Sequence, residues 1–512
     1  MIARISPAEL HELAASWRFA LTGDEERELL AVAEAVFQAY DQLQAQPSAQ
    51  PEPVAAVRDP GRRPAEGEDP LNAIVRLCRV RADVADGLLS GRRVAVKDSV
   101  AVAGVPLSCG SAALQGFVPS TDSVVAERIL RAGGEIVAVT NMDDLALSAG
   151  GDSSWYGPTL NPWDRGRTAG GSSSGSAAAL FYDSVDVSVG GDQGGSIRVP
   201  ASWCGVVGLK PTHGLVPYTG IAGMDQTFDH CGPLGRTVEA VAVLLQAIAG
   251  RDEGDPRQHG VPGEVDVRTA VERAADDLRG VRLGVVAESL SDAIGVEQAT
   301  ADAVRGAIER LRGLGAEPVE VSLPEHLQAG GVAFSSFVEG MTSTVESGGN
   351  GYGWSGRYWE ELPAALRAGI AAHAQELSPQ VKSMLVAGRF LRRRYSGALY
   401  AKAQNLRPWL RAAYDRALAG VDALLLPTTP WRAHAVDPEL PVAARVLRGW
   451  QNLANTYPTD MTGHPAISLP LAEADGLPVG VMLVAPRLED ARLLSLAATC
   501  ERALGWAPAR EP

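Results

Sequence analysis

Cysteines are few in this sequence of 512 residues, and their arrangement excludes two kinds of site. The five, Cys78, Cys109, Cys204, Cys231 and Cys500, are an odd number, and no two of them stand in a Cys-x-x-Cys pair. This argues against a disulfide framework and against a zinc site. We therefore expect reduced thiols in a cytoplasmic protein, with no metal bound.

Long hydrophobic runs are also missing. No stretch of about 18 apolar residues occurs, and the beginning, MIARISPAELHELAASW, lacks the basic segment followed by an apolar one that marks a secretion signal. The sequence thus predicts a soluble intracellular chain that neither spans nor binds a membrane.

Positive charge is scarce relative to negative charge. The chain has 46 Lys and Arg against 61 Asp and Glu, which gives a formal net charge of -15. Such a surplus repels phosphate backbones, so we expect no nucleic-acid partner. The remaining composition, 46% hydrophobic and 21% charged, is that of an ordinary globular protein.

Residues 1–70 predict a helical N-terminal extension followed by a linker. Ser6 can cap a helix that begins at Pro7, with Glu9 completing the capping pattern. A second helix begins near Thr22 and carries a wide apolar stripe. Residues 46–70 are rich in proline and charge, which favours a linker or an extended segment. Two short helices cannot bury that stripe alone, so they must pack on the main body or on another copy of the chain.

From residue 71 onward, apolar β-prone stretches alternate with helical ones, a pattern typical of a layered α/β domain. We divide this part into a first core segment (71–285), an inserted, smaller and mostly helical subdomain (286–405), and a second core segment (406–512). The predicted strands include VAVKD, EIVAVTN, VDVSVGG and ALLLPTTP, and the predicted helices include SVVAERILRAG, DDLALSAG, AVRGAIERLRGLG and DARLLSLAATCERAL.

One predicted strand leads into a glycine-rich turn that ends at Ser196. Val185, Val187 and Val189 alternate with polar residues, and GGDQGG follows before the serine. Glycine lets the backbone approach a ligand closely, so successive N–H groups can converge on one point. The pattern fits an oxyanion hole beside a nucleophile, although a purely structural tight turn has the same glycines.

Lys97 and Ser172 are two further candidates. Lys97 follows a VAV strand, and a lysine acts as a base at neutral pH only if burial lowers its pKa. Asp98 would oppose this, but successive residues of a strand point to opposite faces. Ser172 lies in GGSSSG, and its hydroxyl can both donate and accept a proton. Taken singly, the lysine could be a surface residue and the serine a helix cap or part of a flexible loop.

Taken together, Lys97 in VAVKD, Ser172 in GGSSSGSAAAL and Ser196 in GGDQGGSIRVPASWCGVVGLKPT resemble the amidase signature family. The likeness continues in NPWD, CGVVGLKPTHGLVPYTG, DHCGPLGRT and TGHPAISLP, and it spans most of residues 71–505. Two motifs depart from the common pattern, since Ser174 stands in place of a glycine and Ser99 in place of an asparagine. Neither departure affects the three candidates.

The resemblance implies a role for each residue. Ser196 is the nucleophile, Ser172 is a bridging serine preceded by a cis peptide bond from Gly171, and Lys97 is the terminal base. The implied oxyanion hole consists of the backbone amides of Gln193, Gly194 and Gly195, with that of Ser196, and the implied supporting residues are Ser173, Asp192 and Arg198. The family has an α/β fold, with a central mixed β-sheet covered by helices on both faces, and it uses no cofactor.

The implied activity is hydrolysis of small aliphatic or aromatic amides to carboxylate and ammonia through an acyl-enzyme. DQGGS, the N-terminal helices and NGYG are most similar to enantioselective amidases of Rhodococcus type, in which those helices contribute to a homodimer. A glutaminase subunit of an amidotransferase shares the three residues, and hydrolases of carbamates, anilides or esters use the same fold, so these remain alternatives.

Two rival interpretations lie outside the family. GSSSG also fits the G-x-S-x-G pattern of an α/β-hydrolase with Ser173 as nucleophile, but no strand-like run precedes it. A non-enzymatic binding protein would not need the three candidates. For the amidase, we expect the substrate to contact Met142, Leu145 and Leu147, the aromatic stretch from Tyr352 to Trp359, and Trp450.

Overall fold

The computed structural model describes residues 1–505. Residues 506–512, the end of the predicted second core segment, lie outside the described residues. The chain divides into two compact units, Met1–Pro51 and a larger unit that begins at Glu52.

The N-terminal unit contains the two predicted helices, α1 (Pro7–Ser16) and α2 (Gly23–Gln44). Ser6 and Thr22 cap them, and each accepts a hydrogen bond from the backbone N–H of a glutamate in the first turn, which returns a bond to the cap. Arg4 pairs with Glu34 of α2 at 2.8 Å, so the segment ahead of α1 is tied to the second helix.

The larger unit is built on one sheet of 12 strands. In chain order the strands are β1 (Val57–Arg62), β2 (Ile74–Arg81), β3 (Arg93–Lys97), β4 (Glu135–Thr140), β5 (Val187–Asp192), β6 (Val207–Lys210), β7 (His230–Gly235), β8 (Arg282–Val286), β9 (Glu317–Val321), β10 (Ala423–Pro427), β11 (Ala466–Ala474) and β12 (Leu477–Val484).

The helices of this unit lie between and after the strands. They are α3 (Val124–Arg131), α4 (Ser174–Ala178), α5 (Arg198–Cys204), α6 (Val238–Ile248), α7 (Arg268–Glu272), α8 (Gln298–Gly313), α9 (Glu325–Glu346), α10 (Leu362–His373), α11 (Pro379–Tyr395), α12 (Ala398–Leu418), α13 (Val442–Gln451), α14 (Tyr457–Thr462) and α15 (Asp490–Leu504).

The strand order is β1-β2-β4-β3-β5-β7-β6-β11-β12-β10-β8-β9. β3 pairs in parallel with β4 and β5, and β8 pairs in parallel with β9 and β10, whereas the remaining pairs are antiparallel. The predicted α/β fold with a central mixed sheet is therefore confirmed. Because β3 and β5 are parallel neighbours, their carboxyl ends, at Lys97 and Asp192, lie at the same edge.

Alternate residues of the central strands belong to different hydrophobic clusters, which shows that both faces of the sheet are covered. Leu425 packs in one cluster, with residues of α3, α6, α8 and α15, while Leu424 and Leu426 pack in another with residues of α9 and α12. In β3, Val94 and Val96 face the first cluster and Ala95 a third, with α4 and α5. When both faces of a sheet are buried, the sequences of its strands are nearly continuous apolar runs, as ALLLP of β10 is.

The segment 57–62, within the predicted linker, forms the edge strand β1, which pairs with β2. Part of the predicted linker therefore belongs to the sheet of the larger unit. Among residues 1–505, no helix combines the length and the apolar character needed to cross a membrane.

The prediction of a helix over DDLALSAG is wrong. Residues Asp144–Ala146 form only a short 3-10 turn, and Leu145 and Ala146 adopt left-handed backbone angles, with φ of 48° and 62°. The reason lies in two aspartates whose carboxylates bind backbone N–H groups elsewhere in the chain. The Asp143 carboxylate accepts a hydrogen bond from the backbone N–H of Ser153, and the Asp144 carboxylate accepts one from the backbone N–H of Ser378. Side chains of this type compete with helical hydrogen bonds.

Candidate active site

Lys97 ends β3 and points its amine into the protein. The side chain is 1% exposed, and Nζ donates to Ser172 Oγ at 2.9 Å and to the carbonyl oxygen of Gly191 at 3.3 Å. Burial lowers the pKa of Lys97 to about 8, although the charges of Asp143 and Asp192 oppose the shift. With this pKa about a tenth of the amine is neutral at pH 7, far more than for a solvated lysine, and that fraction can accept a proton.

Asp98, the next residue, does not pair with Lys97. Its carboxylate accepts hydrogen bonds from the backbone N–H groups of Ser108 at 2.9 Å and Gly110 at 3.0 Å, and from the Ser108 hydroxyl. Burial raises the pKa of Asp98 to about 6 in spite of these bonds. The carboxylate adjacent in sequence is thus directed away from the amine.

Ser172 is fully buried at the end of a tight segment that Asp143 supports. The Gly171–Ser172 peptide bond is cis. A Cβ atom on Gly171 would lie 1.9 Å from Asp143 Oδ2, so only glycine allows the carboxylate to approach so closely. Asp143 also donates its backbone N–H to the carbonyl oxygen of Ser172 at 3.3 Å. Sequence reasoning missed Asp143, because a carboxylate that binds loop amides and the hydroxyl of Ser153 has no motif of its own.

Ser196 lies in the turn between β5 and α5 and is 4% exposed. Its carbonyl oxygen accepts the backbone N–H of Ser173 at 3.0 Å, which joins the two serine-containing segments. The Ser173 hydroxyl donates to the carbonyl oxygen of Gly191 at 3.0 Å, so Ser173 also ties its segment to β5. Among residues 1–505, no hydrogen bond joins the hydroxyls of Ser172 and Ser196.

The backbone N–H groups of Gln193, Gly194 and Gly195 donate to no other group in the described part of the chain. They are therefore available to an oxyanion. Gly195 has a φ of +146°, and a Cβ there would lie 2.2 Å from the hydroxyl oxygen of Thr456, which itself donates to the carbonyl oxygen of Gly194 at 2.5 Å. The loop thus requires glycine at 195 and is held by Thr456, a residue that no sequence motif indicated.

A network of buried charged residues supports the turn that contains Ser196. Arg198 binds Asp192 through two bonds of 2.9 Å and Asp460 at 2.7 Å, and all three side chains are fully buried. Burial favours the neutral acid, but the charge and hydrogen bonds of Arg198 outweigh it and lower the pKa of Asp192 to about 2. Arg198 also donates to the carbonyl oxygen of Thr456 at 2.9 Å. Asp192 and Arg198 are thus brought together, with Asp460 as a third member that the sequence did not reveal.

The cavity beside Ser196 is narrow, about 30 Å³, and apolar. In the structure as described, no charged side chain lines it. Its walls are Ala146, Leu147, Ser148, Gln193, Gly194, Ser196, Met224, Phe334, Phe337, Met384, Trp450 and Leu453. Leu147 and Trp450 stand where the sequence placed them, whereas Met142 and Leu145 line an adjoining cavity and Tyr352 and Trp354 line more distant ones.

Gln193 lines this cavity, and its side chain has an unused hydrogen-bond acceptor. Its Nε2 donates to the Tyr218 hydroxyl at 2.9 Å, and that hydroxyl donates to the carbonyl oxygen of Ala222 at 3.5 Å. This chain of donors fixes the orientation of the amide, with Oε1 buried and without a partner in residues 1–505. The five cysteines are free and buried, and the described residues contain no group of three or more His, Cys, Asp or Glu able to hold a metal ion.

Comparisons with known proteins agree on one family. Residues 71–494 match the family described as Amidase. The chain is 39% identical to the enantioselective amidase of Rhodococcus rhodochrous over 453 residues, which cover 87% of this chain and 86% of that protein. It is 36% identical to the A subunit of glutamyl-tRNA(Gln) amidotransferase of Synechococcus sp. (strain JA-2-3B'a(2-13)) over 439 residues, covering 85% of this chain and 83% of that protein.

A solved structure is similar over most of the chain. The crystal structure of the A subunit of glutamyl-tRNA(Gln) amidotransferase from Thermotoga maritima matches with a TM-score of 0.71 and 28% sequence identity. The match covers 86% of this chain and 91% of that one. The proteins that this chain resembles thus include both an enantioselective amidase and amidotransferase subunits.

Proposed function

The chain belongs to the amidase signature family, and on this basis we propose that it hydrolyses carboxylic amides to carboxylate and ammonia through an acyl-enzyme. The observation that carries the proposal is the buried amine of Lys97, which donates to Ser172 Oγ at 2.9 Å and whose pKa burial lowers to about 8. A lysine held in this way is a base for a serine, since a solvated lysine would be almost wholly protonated at neutral pH.

In the proposed reaction, neutral Lys97 takes a proton from Ser172 as Ser172 takes one from Ser196. The Ser196 oxygen then attacks the amide carbonyl carbon. The negative charge that develops on the carbonyl oxygen is stabilised by the backbone N–H groups of Gln193, Gly194 and Gly195. Proton transfer in the reverse direction protonates the leaving nitrogen, the C–N bond breaks, and water hydrolyses the resulting ester by the same route.

The apolar cavity favours an uncharged acyl group over glutamine. Glutamine carries an ammonium and a carboxylate group, and transferring both into a site without opposite charges costs free energy. No charged residue lines the cavity beside Ser196 in the structure as described. This supports a stand-alone amidase for small aliphatic or aromatic amides over a glutaminase, and it leaves carbamates, anilides and esters as related bonds that the same site could cleave.

An ammonia-release assay tests the proposal. Purified full-length protein is given propionamide, benzamide and glutamine, with hydroxylamine in a parallel reaction to convert the acyl-enzyme to a hydroxamate. We expect ammonia from propionamide and benzamide, little from glutamine, and no product with a folded Ser196→Ala variant. Full activity in that variant would show that Ser196 is not the nucleophile, and glutamine as the best substrate would favour the glutaminase.

We also propose that the protein is a cytoplasmic homodimer that uses its N-terminal helices. α2 has an apolar stripe, yet none of its residues is buried. The free, buried cysteines suit a reducing compartment. Light scattering on the full chain and on a variant that begins at Glu52 tests the assembly, because only the full chain should have the mass of two copies.

A further inference from the structure

A cavity of about 300 Å³ beside α9 has two carboxylate side chains in its wall. Glu339 comes from α9 and Asp225 from the loop ahead of β7, and Tyr352, Trp354 and Tyr400 complete much of the wall. Ser196 is not part of this wall. We call this space the Glu339 cavity.

Glu339 has no partner for its charge. The residue is 2% exposed, and neither carboxylate oxygen has a hydrogen-bond partner within residues 1–505. Burial raises the pKa of Glu339, and the nearby backbone N–H of Tyr400 and the charge of Arg392 oppose the shift without reversing it. Buried polar groups in native proteins are nearly always paired, so an unpaired carboxylate at a cavity wall calls for a ligand.

Asp225, by contrast, is fixed in place. Its Oδ2 accepts from the Tyr400 hydroxyl at 2.7 Å, and its Oδ1 accepts from the backbone N–H of Thr227 at 2.8 Å. It packs directly on α9, because a Cβ on Gly340 would lie 2.1 Å from Asp225 Oδ2. The cavity wall therefore combines one anchored carboxylate with the unpaired one of Glu339.

The cations near the cavity already have partners. Arg392 lines the cavity, but it pairs with Glu346, as does Arg389. Arg407, whose charge acts on the Asp225 region, donates to the carbonyl oxygens of Met461 at 2.9 Å and Thr227 at 2.6 Å. None of these groups forms an ion pair with Glu339 in the described residues, which leaves this carboxyl group open to a cation carried by a ligand.

Shared wall residues place the Glu339 cavity next to the active site. Thr344 lines both the Glu339 cavity and a small apolar cavity, and Ala146 lines both that apolar cavity and the one beside Ser196. Phe337 of α9 faces the cavity of Ser196, and Thr344 lies two turns later on the same helix. At a rise of about 1.5 Å per residue, Phe337 and Thr344 are about 10 Å apart along the helix axis.

We propose that the Glu339 cavity binds an ammonium group carried on an unbranched arm of the amide substrate, with Glu339 as its ion-pair partner. The inference rests on the proposed amidase function and names a substrate class for it. Trp354 and Tyr352 add aromatic surface suited to a cation. The narrow apolar cavity between the two ends suits a methylene chain and not a branched or polar one.

Two matched series of substrates test this. One pairs ω-aminoalkanamides of increasing length with alkanamides of the same length, and the other pairs N-(ω-aminoalkyl)benzamides with N-alkylbenzamides, since the arm could extend from either side of the scissile bond. We expect kcat/KM in one series to favour the ammonium compound by about tenfold or more at the length that reaches Glu339. In Glu339→Gln the preference should disappear while hydrolysis of the neutral compounds stays unchanged.

The controls separate this proposal from the amidase function itself. Glu325→Gln changes a glutamate of the same helix that pairs with Arg416, and it should keep the preference. Glu339→Asp retains the charge on a shorter side chain and should keep part of the preference for the ammonium compound. Because Glu339 forms no ion pair with a described residue and glutamine has nearly the same size, Glu339→Gln should fold, which circular dichroism checks. Hydrolysis of benzamide with no ammonium preference in either series overturns the subsite alone, whereas inactivity on all amides overturns the proposed function.

Discussion

At the scale of single residues, the site depends on groups whose ordinary properties burial has changed. Lys97 and Ser172 could be chosen from the sequence because their motifs resemble a family, but the environment that lowers the pKa of Lys97 could not. The surroundings of this amine include Asp143, which lies 46 positions further along the chain, contacts the Gly171–Ser172 segment, and carries a charge that opposes the shift. Such contacts depend on how loops fold together and leave no periodic pattern in the sequence.

The protonation state of Lys97 predicts a pH profile. The proposed base is the neutral amine, and burial lowers its pKa to about 8, so kcat/KM should rise as pH increases through about 8 and then level off. Steady-state assays of benzamide hydrolysis between about pH 6 and 10 measure this rise in kcat/KM. A Lys97→Arg variant should be inactive at every pH in that range, because a guanidinium does not deprotonate there. Activity that is constant below about pH 7 would contradict the assignment.

The unpaired Oε1 of Gln193 predicts a preference for amides over esters. An amide nitrogen can donate a hydrogen bond to this oxygen, and an ester oxygen cannot. Gln193→Met keeps the backbone N–H but removes the acceptor, so kcat/KM for benzamide should fall about 3- to 10-fold. Hydrolysis of methyl benzoate should change little.

Tyr218→Phe serves as the matched control for Gln193, because it removes the hydroxyl that orients the glutamine amide. It should reduce the amide-to-ester ratio in the same direction but by less. An equal loss for both substrates in Gln193→Met would mean that the side chain acts through packing.

At the scale of elements, several strands and helices follow from apolar periodicity. β3, β4, β5 and β10 and the helices α3, α8 and α15 overlap the predicted stretches, and Ser6 and Thr22 cap α1 and α2. The failure at residues 143–150 has a physical cause, since buried aspartates there bind loop amides instead of leaving a helix to form. The walls of the substrate cavity were only partly predictable, because α9 and α13 reach it by tertiary packing.

Those two helices predict how substrate size is limited. Phe334 of α9 and Trp450 of α13 lie with ring centroids 5.7 Å apart, and they line both the cavity beside Ser196 and an outer cavity of about 770 Å³. Trp450→Ala should join the two spaces. We expect kcat/KM for 4-phenylbenzamide to rise by about tenfold or more relative to propionamide.

Leu447→Ala provides a comparison on the same helix. Leu447 lines the outer cavity only and is 52% exposed, so this variant should leave the ratio of the two substrates as in the unmodified protein. A ratio that does not move in Trp450→Ala would show that access to Ser196 does not pass between these rings.

At the scale of the whole molecule, the site joins distant parts of the chain. Asp192 ends β5 and Arg198 begins α5, whereas Thr456 and Asp460 come from the segment around α14. The family resemblance indicated Asp192 and Arg198, but nothing in the sequence linked them to residues more than 250 positions later. Such long-range pairs follow from the position of β11 beside β6 in the sheet, which alternation of strands and helices does not determine.

Breaking this buried network should affect stability and activity together. Arg198→Met leaves Asp192 ionised without its partner, so the free energy of unfolding should fall by about 3–5 kcal/mol, and benzamide hydrolysis should be lost as the turn before Ser196 loosens. Arg198→Lys keeps the charge but cannot form both bonds to Asp192, so its stability and activity should lie between those of the unmodified protein and Arg198→Met. Urea denaturation followed by tryptophan fluorescence measures the change, and unaltered stability in Arg198→Met would refute the bracing role.

The contact of Thr456 with the glycine turn has a consequence for protein synthesis. A nascent chain that has left the ribosome as far as α5 contains Lys97, Ser172 and Ser196, but not the hydroxyl that holds the carbonyl of Gly194. The oxyanion loop can reach its final shape only after a further 250 or so residues have been translated. We therefore expect an unfinished polypeptide to lack a formed oxyanion loop beside Ser196 until Thr456, which is followed by only 56 of the 512 residues, has been added.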